Sequence, residues 1–401
     1  MKTDYIQGNL KWADPRDYAA ALADEQDLVF LYSGMAPGRY SFLAWGLEAK
    51  TKSLVDLAQG KWFGFLGYGL RTSFEKLEKS PPSSIILPDV LMMKFKNVMV
   101  FDHHNKQITR HCERSEAIHD GVRDVDCRAS LAMTMHSNMT DNDYLQKVEN
   151  ILDKIRAGDL YQCNLTRKFY GEFKTKPDSL SLFHKLSEIS PAPYSAYIRT
   201  GNHAIISASP EKFLTVENGI ATTTPIKGTL SSSEPIEKLA NSEKDKAENL
   251  MIVDLMRNDL SRSCDDVKVD KLFEVTSYAK YHHMSSTISG HVRTNALDVV
   301  KSCFPPGSMT GAPKIQAIKL ATELENIERG VYSGAIGYFD NGNCDLSVVI
   351  RTLIIEGNKF EFQVGSGIVA DSVPEKELEE IYIKASAIFE TLGIKPPLQP
   401  I

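Results

Sequence analysis

The chain has 401 residues, 42% of them hydrophobic, enough for one large buried core or two smaller ones. Its formal net charge is −6, so no global basic field marks it for nucleic acid, and an anionic ligand would need locally placed positive groups. No apolar run approaches membrane-spanning length, the start "MKTDYIQGNLKWADPRD" has no apolar leader segment, and the six cysteines form no C-x-x-C pair, which together predict a cytoplasmic protein with reduced thiols.

The first hundred residues mix short apolar runs with turn residues: "DLVFLYSG", "GRYSFLAWGL", "KWFGFLGYGL" and "DVLMMKFKNVMVFD". Runs of this length between Gly and Pro predict strands. This gives a β-rich N-terminal region over 1–104. From 105 to 138 the chain turns polar and Arg-rich with weak periodicity, which predicts a flexible insertion. The remainder, 139–396, reads as a catalytic domain, either separate or intertwined with the first region. In "TDNDYLQKVENILDKIRAGD" the spacing of Tyr144, Val148, Ile151, Leu152 and Ile155 predicts a helix, with Asp141 as N-cap and Gly158 as stop. "LYQCNLTRKFYGEF" alternates as a strand does. Further helices are predicted from about Glu237 to Ser261, from about Ile315 to Glu325, and from near Pro374 to Gly393. Between them lie the strand-like segments "SAYIRT", "HAIISAS", "EKFLTVE", "SGAIGYFD", "CDLSVVIRTLIIEG" and "KFEFQVGSG". Many antiparallel strands with interspersed helices predict an α+β fold. No G-x-G-x-x-G or Walker pattern supports a nucleotide cofactor.

Three stretches carry candidate chemistry. On the last helix Glu377, Glu380 and Lys384 fall at i, i+3 and i+7 and share one face, which by itself describes an exposed set of paired charges. Just before it, "VGSGIVADS" reads as a Gly-rich turn after a strand, where backbone N–H groups can hold an anion. Carboxylates beside an anion site call for a bridging cation, and Mg2+ takes one or two carboxylates, keeps waters and binds the anion directly. On the middle helix Glu248 precedes the apolar run 250–253, while Arg257, Asn258 and Asp259 read as a structural network. Finally, "PIKGT" at 225–229 puts Lys227 where a strand meets a turn. It is either a solvated charge or an amine at a pocket wall. A nucleophilic lysine must be neutral, which requires desolvation to lower an amine's pKa by roughly 2–3 units.

These segments resemble the chorismate-utilising enzymes. The matching stretches are "GDLYQCNLTRKF" (158–169), "SPAPYSAYI" (190–198), "SASPEKFL" (207–214), "PIKGTL" (225–230) and "DKAENLMIVDLMRNDLSR" (245–262). They continue with "YHHMSSTISG" (281–290), "FPPGSMTGAPK" (304–314), "YSGAIGYF" (332–339), "IRTL" (350–353) and "GSGIVADSVPEKELEEIYIKA" (365–385). They run in order from about 140 to 395. "GRYSFLAW" and "FGFLGYGL" resemble the family's N-terminal region, here shortened, and 105–138 has no counterpart in the family. The resemblance implies a sandwich of mostly antiparallel β-sheets with helices packed outside.

It also implies roles. Glu248 and Glu380 match magnesium-binding glutamates, with Glu377 and Glu211 close by, and the Mg2+ would neutralise the ring carboxylate of chorismate. Arg351 matches an arginine that binds a substrate carboxylate, Lys384 a lysine near the metal-bound end, and Gly365 and Gly367 the amide-presenting turn. Thr310 and Tyr332 line the pocket, and His283 lies beside the ring. Anthranilate-forming members carry alanine at position 227, as "PIAGT", whereas members that aminate C4 carry lysine. Members that add water use a lysine base at the place of Gln162, a task Gln162 cannot perform. Lys227 therefore resembles the nucleophile that attacks C2 of chorismate and expels the C4 hydroxyl before ammonia displaces it, with Glu211 as general acid and base. The implied product is 4-amino-4-deoxychorismate, on the route to 4-aminobenzoate and folate. A glutaminase pattern is absent from the sequence, which implies ammonia from a separate glutamine amidotransferase subunit. Two alternatives stand beside this reading. Anthranilate formation conflicts with Lys227, and a catalytically silent chorismate- or amino-acid-binding regulator conflicts with intact Lys227, Glu211, Glu248 and Glu380.

Overall fold

The computed structural model describes residues 12–35, 38–112, 133–277 and 281–394. In chain order they form α1 (Pro15–Ala21), β1 (Asp27–Tyr32), β2 (Tyr40–Thr51), β3 (Lys61–Leu66), α2 (Arg71–Phe74), β4 (Val90–Asp102), β5 (Gln107–Cys112) and β6 (Met133–Ser137). Next come α3 (Asp141–Arg156), β7 (Gln162–Phe173), α4 (Ser179–Ile189), β8 (Tyr194–Thr200), β9 (His203–Ser209), β10 (Lys212–Glu217), β11 (Ile220–Thr223) and β12 (Ile226–Ser231). The chain continues through α5 (Ile236–Ala240), α6 (Glu243–Ser261), β13 (Cys264–Ser277), β14 (Tyr281–Val292), α7 (Ala296–Cys303), β15 (Gly311–Ala312) and α8 (Lys314–Glu325). It closes with β16 (Ala335–Asp340), β17 (Asn343–Val348), β18 (Thr352–Glu356), β19 (Lys359–Ile368) and α9 (Pro374–Leu392).

Every strand pairing among the described residues is antiparallel, and one ladder can be followed through nearly all of them. It runs β6–β7–β19–β18–β9–β8–β1–β2–β4. From β4 it continues β3–β16–β17–β10–β11–β14–β13. The ladder folds over at β4, and the side-chain alternation shows how. Val29, Phe42, Ala44, Ile198, Ile205 and Ile354 of the first half meet Phe63, Phe65 and Ile336 of the second in a central layer. Their neighbours Leu28, Phe30, Leu43, Ile206 and Leu353 point outward under α3, α4, α8 and α9. On the other side Trp62, Leu66, Ala335 and Phe339 lie under α6 and α7. Strand β4 belongs to both halves, since Val90 and Met92 join the second outer layer while Met99 and Phe101 join the first. The result is the expected sandwich of antiparallel sheets with helices outside. It also explains why "DLVFLY" and "YSFLAW" are apolar at successive positions, because both faces of these strands are covered.

Several boundaries differ from the sequence reading. The 105–138 stretch is not an insertion at its ends: β5 pairs with β4 and β6 with β7. Ile108 and Met135 pack on the core, and backbone pairing holds strands that side-chain composition alone does not reveal. Residues 113–132, the rest of that expected insertion, lie outside the described residues. The 1–104 and 139–396 regions share the ladder through the β1–β8 and β3–β16 pairings. The stretch 237–261 is two helices, the second capped by Ser242. The short helices α1, α4 and α7 escaped the reading, although Asp14, Asp178 and Asn295 each cap one. The N-cap of α3 is Thr140, not Asp141. Its hydroxyl accepts from the Asp143 N–H while the Asp143 carboxylate accepts from the Thr140 N–H, a reciprocal capping box. Asp141 instead receives Arg167 at 2.5 Å and the Tyr382 hydroxyl at 2.7 Å. Thr140→Ala is expected to lower stability by about 1 kcal/mol, measured as a shift in the urea midpoint, and an unchanged midpoint would show that the box contributes nothing.

Candidate active site

Lys227 owes its position to a β-bulge. Ile226 pairs with Ser285 and Thr229 with His283, so β12 carries one residue more than β14 across this interval. Gly228 takes up the irregularity at φ +83°, and a Cβ there would meet Leu239 Cδ1 at 2.9 Å and the Asp245 side chain at 3.0 Å. Such a bulge re-aims the neighbouring side chain. The Lys227 amine reaches Gly367, where a Cβ would lie 3.8 Å from Lys227 Nζ and 2.7 Å from Gln162 Nε2. A side chain at 367 would have to displace the Gln162 amide, while the Lys227 amine would sit in ordinary contact with it.

Gly365 and Gly367 lie within β19 rather than in a turn, because pairing with β7 continues to Ile368. Opposite them, the Thr166 N–H donates to Glu325 Oε1 at 2.9 Å and the Asn164 N–H to the Thr310 carbonyl at 2.8 Å. Neither donor is used on β19, so the backbone groups of both glycines face the other edge. Strand β18 has ended there, its pairing stopping at Phe362. Lys384 Nζ donates to the Gly365 carbonyl at 3.0 Å and pairs with Glu380 at 2.5 Å. The expected turn is thus replaced by a strand edge at both glycines.

Around that edge the charges alternate. Burial pushes the Glu211 carboxyl up, opposed by a hydrogen bond from Ser308 and by Lys227 and Lys384. Burial also pushes Glu248 up, with Lys227 and Lys244 opposing and Asp245 and Glu380 adding to the rise. Burial acts on Glu380 in the same sense, but Lys384, Lys227 and Ser366 outweigh it and hold its carboxyl below the usual value. Glu377 is buried and accepts from the Ser366 hydroxyl. Glu211, Glu248, Glu380, Lys227 and Lys384 are therefore one electrostatic cluster. Ser308 and Ser366 were missed: the first lies two residues before Thr310 and the second between Gly365 and Gly367, neighbours that were the residues singled out.

Arg351 stands between β17 and β18 with φ +49°, a left-handed conformation uncommon for a residue with a side chain. Burial pushes its guanidinium below the ordinary value, partly offset by Tyr281. No carboxylate among the described residues pairs with it. His283 stacks on Tyr281 at 4.3 Å with rings 19° apart. Thr310 is buried and donates to the Gly307 carbonyl at 3.0 Å. Tyr332 is buried within electrostatic reach of Glu211, its hydroxyl pushed well up by burial. Glu211 itself is tied to the strand leading to Arg351, its carbonyl accepting from the Val348 N–H at 3.0 Å. Asp259 pairs with Lys314 as part of the packing, while Arg257 forms an exposed pair with Asp254.

Among the described residues no group of three or more His, Cys, Asp or Glu is arranged to hold a metal ion. Glu248 and Glu380 nevertheless fit a cation of modest demands. Both are hard oxygen donors, and the Glu380 charge disfavours that of Glu248. Mg2+ needs only one or two carboxylates, its other positions being taken by water and an anionic ligand.

Residues 16–390 match the family of chorismate binding enzymes. The chain is 37% identical over 351 residues to aminodeoxychorismate synthase component 1 of Escherichia coli, covering 83% of this chain and 77% of that one. It is 34% identical over 370 residues to anthranilate synthase component 1 of Acetivibrio thermocellus, covering 82% and 74%. The crystal structure of anthranilate synthase component I from Streptococcus pneumoniae superposes with a TM-score of 0.78 at 29% identity, covering 89% of this chain and 93% of that one.

Burial, reinforced by the Arg351 charge, pushes the His283 imidazole down to about 4. An unperturbed imidazole titrates near ~6.5. As pH falls, the unfolded chain takes up this proton before the folded one does. The contribution to stability is therefore complete above about pH 6.5 and is lost progressively toward pH 4. At about 1.4 kcal/mol per unit, His283→Gln should reduce the acid-induced loss across this window by on the order of 3 kcal/mol. Urea midpoints between pH 4 and 7 measure this, and parallel curves for the two proteins would show that the imidazole is not shielded.

Proposed function

The chain belongs to the chorismate binding enzymes, and from that membership we propose that it is component 1 of an aminodeoxychorismate synthase, aminating chorismate at C4. The observation that carries this reading is Lys227, aimed by the bulge to Gly367 and set among Glu211, Glu248 and Glu380. In the alanine-bearing, anthranilate-forming branch that amine is missing. The runs of resemblance around it belong to both branches, so position 227 discriminates where overall identity does not.

The residues divide the work. Arg351 offers an unpaired guanidinium to a substrate carboxylate, and the outward-facing groups of Gly365 and Gly367 border the other end with Lys384. The Lys227 amine bonds to C2 of chorismate as the C4–O bond breaks, and Glu211, whose carboxyl burial pushes up, gives the proton that lets the oxygen leave as water. Ammonia then bonds to C4 as the C2–N bond breaks, regenerating Lys227, and the proton shed by the new amine returns to Glu211. Glu248 and Glu380 would hold Mg2+, which when bound supplies positive charge opposite a substrate carboxylate. Ammonia comes from a separate glutamine amidotransferase subunit, in keeping with the "component 1" of the relatives' names. The product serves 4-aminobenzoate and folate synthesis in the cytoplasm. No helix among the described residues is long and apolar enough to cross a membrane.

With chorismate, Mg2+ and ammonium, the wild type should form 4-amino-4-deoxychorismate. Lys227→Ala should lose that product by at least about 100-fold, the scale of removing a reacting group, while still binding chorismate. Trapping during turnover should leave a chorismate-derived adduct on the Lys227 peptide. Anthranilate as the wild-type product, or undiminished C4 amination by the variant, would reject the assignment.

Chelation gives an independent check. EDTA should bring turnover to background and Mg2+ should restore it, while Glu248→Gln and Glu380→Gln should raise KM more than they lower kcat. Full activity in EDTA would remove the metal from the scheme.

A further inference from the structure

Beneath the site, Arg329 is buried and uses every donor it has. Nε and NH2 grip Glu325 at 2.8 Å and 2.6 Å, NH1 donates to the Met309 carbonyl at 2.8 Å and Ser333 Oγ at 3.2 Å, and NH2 also donates to the Asn164 carbonyl at 2.9 Å. These five contacts exhaust the guanidinium's five N–H groups. Glu325 Oε1 in turn accepts the Thr166 N–H at 2.9 Å. One ion pair thus ties together three segments distant in sequence: the start of β7, the turn that carries Ser308 and Thr310, and the loop that carries Tyr332 and Ser333.

Each segment brings something to the site. The β7 segment includes Gln162 and backs Gly365 and Gly367. Ser308 bonds Glu211. Ser333 holds a left-handed φ of +63° directly after Tyr332. An apolar pair of equal volume would fill the same space, but only a planar fork of donors fixes two carbonyls, a hydroxyl and a carboxylate in one geometry. Building on the function proposed above, we infer that Arg329, oriented by Glu325, is a positioning residue that sets Glu211 and the Tyr332 wall against the Lys227 side of the substrate. None of its hydrogen bonds goes to Arg351 or Lys384. Loosening it should spoil orientation while leaving capture intact.

Arg329→Lys keeps the charge beside Glu325 but has three donors rather than five. It is expected to fold, to lower kcat about 100-fold through misplacement of the reacting groups, and to leave KM within about threefold. Ser333→Gly suits the left-handed backbone and cuts only the tie to the Tyr332 loop. It should lower kcat about five- to tenfold. Hydrogen exchange reads the tie whichever reaction the protein performs: Arg329→Lys should speed exchange at 162–168, 307–312 and 331–334 and leave other protected amides unchanged. A folded Arg329→Lys protein with kcat within about twofold of wild type, or with equal losses in kcat and substrate affinity, overturns the inference. If Arg329→Lys does not fold, Ser333→Gly decides, and an unchanged kcat there overturns it. A wild type that leaves chorismate untouched counts against the proposed function instead, and the exchange pattern then decides the positioning role alone.

Discussion

The pairing of β7 with β19 carries different chemistry on its two faces, and the site depends on the two not being exchanged. On one face Cys163, Leu165 and Phe169 lie with Phe362, Val364 and Ile368 in the core beneath α3 and α9, with Arg167 and Ser366 among them bonded to Asp141 and Glu377. On the other, the buried Gln162, Asn164, Thr166 and Lys168 lie opposite or diagonal to Glu361, Gln363, Gly365 and Gly367. Because side chains alternate with a period of two, a slip of one residue would drive a lysine and three polar side chains under α9 and turn apolar groups toward Lys227. The ends of the register are pinned independently. Lys168 pairs with Glu361 at 3.1 Å deep in the strand, and Cys163 and Gln162 pair with β15 at the site end.

Upon that frame the electrostatics are local. The chain is net negative, yet its candidate site places Lys227 and Lys384 between Glu211, Glu248 and Glu380. Such interleaving keeps five ionisable groups near one another without a large net field, and a change of partner at one shifts the others. Glu380 shows this most directly. Its carboxyl is low because Lys384 and Lys227 outweigh burial, whereas Glu248, with Glu380 for a neighbour, is high. Two carboxylates of one site thus differ in their readiness to be charged for reasons of neighbourhood, not residue type.

Much of this was legible in the sequence, and what was not shares a cause. The strands of the central layer were readable because "DLVFLY" and "SFLAW" are apolar at consecutive positions, and α9 because its apolar spacing runs from a proline to a glycine. The motif residues around the site were also readable. Apart from the locally capped helices α1, α4 and α7 and the Thr140 cap, what failed needed partners distant in sequence. "VGSG" resembles a turn until β7 is laid beside it, and only then does Gly365 register against Thr166 and Asn164 and Gly367 against Gln162. β5 and β6 are strands by virtue of their neighbours. The bulge at Lys227 exists only against β14, and the Glu325–Arg329 pair looks like an ordinary i, i+4 surface bridge until the carbonyls of Asn164 and Met309 arrive. Local pattern reports which residues are apolar, not which backbone edge they will meet.

The arginines sharpen the distinction between scaffold and site. Arg71 and Arg329 are fully buried and each is paired, with Glu328 at 2.9 Å and Glu325 at 2.6 Å. Arg167 does the same with Asp141. This is the expected behaviour, since a charge taken out of water is tolerated when a counter-charge and hydrogen bonds replace the solvent. Arg351 breaks the pattern. It is carried on a left-handed residue between two strands, with Tyr281 as an electrostatic neighbour and no carboxylate partner among the described residues. Burial disfavours its charge, and its backbone is strained as well. The fold pairs its buried arginines and leaves Arg351 without a carboxylate partner among the described residues. A carboxylate placed there would favour the guanidinium charge that burial disfavours, so the cost of shaping such a position would become part of the affinity for an anionic ligand.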